Sequence, residues 1–435
     1  MKTTGKKNIR LPSNLLLFAF LASFIFLAGC GGGGGSSSSP APSGGGGTTP
    51  APSSGGTCTA VAVALSDQVQ NPVPLLPPKN DGKADNNGVL VELPGVSDSG
   101  AASASGDLVL GVGTEPDNTY APSSVTVFPL DSYGDFITVL NGRTYTDSFT
   151  DTGSNGFFFP QVSRNNPPIC SDYPSWYCPQ TPFTNTATLE GSTGKPSLSA
   201  TFTIENFDAL TSGSNKVFPN IGGPNSTFDW GLPFYFNKNV FIGISGQSSN
   251  LGTGPYFASG LYNGSQQGAE NLLQVSVSGP VPGLTPYNNE PLVSIKVCTP
   301  GTNSCQTIDG ILLDTGSYGL RIFKQALSVS LTPETVQGGQ LAECQQYADG
   351  TADWGPVELA DVTLGGEPAV TVPVQVIDST FTGSSKCQGT LDTSPSNDGY
   401  NGILGVGSFQ QDCPACTDLK NQNQLTQWPY WSCTQ

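Results

Sequence analysis

The chain has 435 residues, with 16 Lys+Arg against 33 Asp+Glu, 11 Cys and no His. Without an imidazole there is no Ser-His-Asp triad, no Cys-His dyad and no His-ligated metal site. A net charge of −17 argues against a protein that grips nucleic-acid phosphates, which needs a basic face. Charged residues make up 11% of the chain, well under the roughly 25% usual for soluble domains. Gly (55) and Pro (36), with abundant Ser, Thr and Asn, take their place, the composition of a turn-rich, exported, mostly β protein. The length allows two or three domains, each with its own core.

Lys2, Lys6, Lys7 and Arg10 form a positive leader ahead of an apolar run over residues 15–27, too short to span a bilayer as a stable helix. The run ends in Leu27-Ala28-Gly29-Cys30. This is similar to a bacterial lipobox, so residues 1–29 are expected to be a lipoprotein signal peptide and Cys30 the acylated first mature residue. Their removal leaves 12 basic residues against 33 acidic, a net charge of −21. Residues 30–57, almost all Gly, Ser, Thr, Pro and Ala, read as a flexible tether spanning on the order of 30 Å. Gly31, in place of an Asp, implies sorting to the outer membrane. The expected localisation is an exported bacterial lipoprotein, held to the membrane only through its N-terminal lipid.

Ten cysteines remain, an even number in an oxidising compartment, so disulfides are the default. Cys298 and Cys305 flank a hairpin tip, and Cys170 and Cys178 enclose an aromatic loop. Cys344 with Cys387, and Cys58 with Cys433, are further expected pairs. Cys413-Pro414-Ala415-Cys416 has the spacing of a redox pair, but no βαβ context surrounds it, so a structural disulfide is expected.

From Cys58 onward, short alternating runs bounded by Gly, Pro, Asn and Asp predict strands, among them residues 88–93, 107–112, 124–130, 135–140 and 292–297. Short helices are expected over residues 320–329 and 418–427. Within this pattern Asp-Thr-Gly-Ser occurs twice, as Asp151-Thr152-Gly153-Ser154 and Asp314-Thr315-Gly316-Ser317. Each copy follows a predicted strand (145–149; 308–313) and leads into an apolar stretch, Phe157-Phe158-Phe159 or Leu320-Arg321-Ile322-Phe323. One such tetrapeptide is most simply a turn whose Asp caps its own backbone. Two copies in matched contexts, one domain length apart, point further.

Two carboxylates held about 3 Å apart cannot both ionise, so they share a proton. One can activate a water while the other donates to a substrate carbonyl. Such a pair has to come from two loops facing each other. Gly153 and Gly316 would let the loops approach, Thr152 and Thr315 would bond across, and Ser154 and Ser317 would orient the carboxylates.

These residues resemble those of the pepsin-like aspartic proteases, two lobes with one Asp-Thr-Gly each. The resemblance extends to residues 341–366, similar to the hairpin flap of the amino-terminal lobe, with Tyr347 at the place of the covering tyrosine. Asn401-Gly402-Ile403-Leu404-Gly405 is similar to that lobe's hydrophobic-hydrophobic-Gly segment. Phe228-Asp229-Trp230-Gly231 holds the matching place in the other half, with Asp229 where an apolar residue is usual. The chain also resembles, over nearly its whole mature length, a bacterial lipoprotein family of unknown function. The resemblance implies an all-β, bilobal acid-protease fold with few short helices and the lobes in circularly permuted order. Residues 58–250 would match the carboxy-terminal lobe, 251–270 a linker and 271–435 the amino-terminal lobe.

The expected function is that of an envelope-anchored aspartic endopeptidase, with Asp151 and Asp314 hydrolysing a peptide or protein bound between the lobes. It needs no cofactor and no metal, takes no nucleic acid and works as a monomer. The alternatives are an inactive pepsin-like lipoprotein whose cleft binds peptide or glycan, and a plain surface lipoprotein. Residues 80–88, rich in Asp and Asn, miss the EF-hand spacing and read as a solvated turn.

Overall fold

The computed structural model of the protein describes residues 56–80, 82–161, 166–264 and 270–434. The expected signal peptide, Cys30 and all but the end of the tether lie outside the described residues. The described chain is all-β, with two α-helices, Phe207–Thr211 and Pro395–Asp398. Gly88–Leu93 is buried at every position because Ala104–Leu110 and Lys238–Gly243 flank it in an antiparallel sheet. Leu272–Val277 pairs with Ala104–Leu110 on one side and Pro291–Cys298 on the other. Through it one sheet runs continuously from the first half of the chain into the second.

A three-strand frame occurs once in each half. In the first, Arg143–Thr150 leads into Asp151 and the chain returns as Phe157–Phe159. Asp229–Trp230 lies between them, parallel to the former and antiparallel to the latter. In the second, Cys305–Asp314 leads through a loop into Tyr318–Phe323, and Gly402–Val406 pairs with both in the same two senses. Aromatic rings fill the space beneath the first frame. Phe228 stacks on Trp230 at 4.6 Å between ring centres, and Phe202 meets both edge-on. Burying each such ring contributes on the order of 2–3 kcal/mol.

The expected helix over residues 320–329 is a strand instead, Tyr318–Phe323, followed by the 3-10 turn Lys324–Ala326. Its apolar residues satisfy either period. The parallel partner Val370–Ile377 and the antiparallel partner Gly402–Val406 decide for the strand. Residues 418–427 contain only a 3-10 segment, Leu419–Gln424.

All ten described cysteines are paired, as Cys58–Cys433, Cys170–Cys178, Cys298–Cys305, Cys344–Cys387 and Cys413–Cys416. Thr57–Ala60 pairs with Tyr430–Thr434 in register, Cys58 opposite Cys433. Val61, Val63 and Val69 then pack with Leu341, Trp428 and Tyr430. The first described residues thus pack against strands of the second half of the chain. Opening this bridge in a Cys58→Ala/Cys433→Ala double variant should cost about 4–5 kcal/mol, because it frees a very long loop in the unfolded chain. A lowered urea midpoint with an unchanged strand signal in circular dichroism checks this.

Candidate active site

The two Asp-Thr-Gly-Ser loops meet face to face. The Thr152 N–H donates to Thr315 Oγ1 at 3.0 Å, and the Thr315 N–H donates to Thr152 Oγ1 at 3.1 Å. Thr152 Oγ1 in turn donates to the Leu313 carbonyl at 2.7 Å. Within each loop the carboxylate caps its own turn. The Gly153 N–H donates to Asp151 Oδ1, and the Gly316 N–H to Asp314 Oδ1, each at 2.7 Å. Each Asp thus caps its own turn, and the two loops lie against each other. Gly316 has to lack a side chain: a Cβ there would lie 2.6 Å from Asp151 Cγ. Gly231 and Gly405 play a second close-packing role, since a Cβ on either would press into the loop backbone at Ser154 or Ser317.

Asp151 and Asp314 are both fully buried. Burial, the Asp314 carboxyl beside it and the nearby Asp229 hold the Asp151 proton well above the ordinary carboxylate range. Burial also raises Asp314, but its hydrogen bonds with Asp151, Ser317 and the Gly316 N–H, and the charge of Arg321, pull it back down. Ser317 Oγ donates directly to Asp314 Oδ2. Ser154 does not mirror it; its hydroxyl is in hydrogen-bonding reach of both Asp151 and Asp229. Asp151 Oδ2 has no hydrogen-bond partner. Two carboxyl groups so coupled titrate as a pair.

Tyr347, the expected covering tyrosine, is buried beside Leu312, Phe323, Ile377, Tyr400 and Ile403, and its hydroxyl donates to Asp353 at 2.6 Å. That places its ring in the core of the second half. Sequence reasoning missed Tyr235, whose hydroxyl shares a hydrogen bond of 2.7 Å with Thr315 Oγ1 and braces the interlock. It also missed Arg321, fully buried behind the second loop and paired with Glu343 at 2.9 Å and Asp412 at 3.1 Å. A lone Arg in an apolar run was the available signal.

Ser317 and Tyr318 line a cavity of about 330 Å3 with Tyr133, Phe409, Pro414 and Leu425. A void of about 20 Å3, room for one water, lies against Thr150, Thr315, Gly316 and Tyr318. Among the described residues, the trio that could gather round a metal is Cys170, Cys178 and Asp208, but the two cysteines are a disulfide. Asp85, in the Asp/Asn-rich segment, is buried on Lys79 at 2.7 Å, so a lysine supplies the positive charge there.

The model of the family described as protein of unknown function (DUF3443) matches residues 51–259 and 267–435, and the chain belongs to that family. No curated protein and no solved structure matches the chain.

Replacing Thr152 or Thr315 by Val keeps the shape and removes the reciprocal acceptor. Each change should cost about 1–3 kcal/mol through the unpaired N–H opposite, measurable by denaturant unfolding. Stability should also fall as pH rises. Burial keeps Glu290 protonated up to about 9. Burial, with Asp353 and Asp398 alongside, keeps Asp392 protonated up to about 10. Unfolded carboxyls lose their protons near pH 4. Across the window from about 4 to 9 the folded chain binds more protons than the unfolded one, so its stability is greatest at the acid end. Thermal midpoints at pH 5 and pH 8 should differ in that direction, and Asp392→Asn should reduce the difference.

Proposed function

We propose that this DUF3443 protein is an aspartic-type endopeptidase of the bacterial envelope, tethered through an acylated Cys30. One observation carries the reading: Asp151 and Asp314 are buried together on twin loops interlocked by Thr152 and Thr315. In the proposed reaction the ionised carboxylate takes a proton from water as the water oxygen attacks the peptide carbonyl. The protonated carboxyl gives its proton to the carbonyl oxygen. The tetrahedral diol then breaks its C–N bond, and the nitrogen leaves with a proton from the pair. No cofactor enters these steps.

The cavity beside Ser317, walled by Tyr133, Tyr318 and Phe409, suits an apolar side chain of a peptide or protein substrate. Five disulfides and the lipobox-like segment support an exported, membrane-tethered location. The pepsin-like relationship, the permuted lobes and a monomeric state belong to the same proposal.

A second reading, an inactive pepsin-like lipoprotein that binds peptide or glycan, is favoured by the complete burial of both carboxyls. The two readings separate on a peptide library assayed from pH 3 to pH 8. The hydrolase reading expects cleavage that a statine-containing peptide blocks. It also expects a loss of at least about 10³-fold in kcat/KM in Asp314→Asn and in Asp151→Asn. Cleavage that persists in either variant, or no cleavage by the wild-type chain, rejects it.

A further inference from the structure

The two frames repeat one another, and their registers align residue by residue. Thr150 pairs with Trp230 as Leu313 pairs with Leu404, and Phe149 pairs with Asp229 as Leu312 pairs with Ile403. Asp229 therefore holds the position of Ile403. Across the next strand, Asp229 faces Phe158 where Ile403 faces Arg321. Phe158 thus holds the position of Arg321. One frame carries a guanidinium behind its aspartate, and the other carries a carboxyl group.

An aspartate in this layer has a cost that isoleucine does not. Asp229 is buried, and its Oδ1 has no hydrogen-bond partner. An unpaired buried polar atom costs about 1–3 kcal/mol. The serines differ in the same sense. Ser317 donates to Asp314, whereas Ser154 reaches both Asp151 and Asp229.

We propose that Asp229 is a third carboxyl group of this site and a positioning residue: acting through Ser154, it assigns the shared proton of the pair to Asp151 and leaves Asp314 as the anion. The inference rests on the paired-carboxylate reading above. The titratable groups facing Asp229 are Asp151, Asp314 and the Tyr235 phenol. Arg321 faces Asp314 within the second half, held among Glu343, Asp412 and Asp353. As pH rises, Asp314 loses its proton first, helped by Ser317, the Gly316 N–H and Arg321. Asp151 is raised by the charges of both Asp314 and Asp229, whereas Asp229 is raised by that of Asp314 and eased by Ser154. With Asp314 and Asp229 as anions, two negative charges would face Asp151 and hold its proton. The site would hold one acid and one base to higher pH than an isolated pair.

The test uses the full-length mature chain labelled with 13C in its aspartate carboxyls. The Asp151 resonance is identified by its loss in Asp151→Asn. In Asp229→Asn that resonance should titrate about one pH unit lower than in the wild type, a tenfold weaker hold on the proton. Should Asp229→Asn fail to fold, Asp229→Ile supplies the residue type of the matched position and reads the same shift. Where peptides are cleaved, the alkaline limb of kcat/KM should move to lower pH by the same amount. An Asp151 titration unchanged in these variants overturns the proposal. The titration needs no turnover, so a chain that cleaves nothing would reject the hydrolase reading and leave this result separately readable.

Discussion

The reciprocal hydrogen bonds between Thr152 and Thr315 are the constraint on which the rest of the arrangement depends. Two carboxyl groups driven together without water would repel each other if both were ionised. The only tolerable state is one in which they share a proton, and that state needs the loops held in place while the proton moves. Each threonine satisfies the other loop's backbone N–H, so neither loop can retreat without stranding a buried donor. Gly316 completes the constraint by leaving room for the opposing carboxyl. The Tyr235 hydroxyl on Thr315 anchors the interlock to the first half.

Around this centre the halves share a frame but not a chemistry. The repeated strand pattern supplies two loops of the same shape. What stands behind each loop differs: Arg321 in one, Phe158 and Asp229 in the other. A symmetric pair would leave the proton undecided between its members. The unequal backing places the two carboxyls in different surroundings. The cavity is unequal too. It lies beside Ser317, and Ser132 and Tyr133 of the first half line one side of it.

Burial of acidic groups recurs elsewhere in the molecule. Glu290 and Asp392 hold their protons far above the usual range, in a chain with 33 acidic residues against 16 basic ones. Groups of this kind cost no stability at acid pH, because they are already protonated there. The five disulfides restrain the unfolded chain independently of charge, and one of them joins the first described strand to the last.

Much of this was legible in the sequence because it is local. Alternation and turn residues mark the strands, two matched Asp-Thr-Gly-Ser segments mark the loops, and cysteine spacing marks the short disulfides. The strand at Tyr318–Phe323 was misread as a helix because an apolar run of that length fits both periods, and only its neighbours choose between them. Tyr235 was not legible, since it braces Thr315, a group distant along the chain, and carries no motif; Arg321 and Asp229 stood out only as polar residues in apolar segments. Tyr347 was legible as a residue but not as a position, because the packing of Leu312, Phe323 and Tyr400 around its ring sets where it points. The sequence alone determined an all-β chain with two copies of one acidic loop, since backbone period and turn chemistry depend on near neighbours. The tertiary structure alone decided that the two loops face each other, and that a cation backs one and a carboxyl the other, because strand register sets which distant side chains share a buried space.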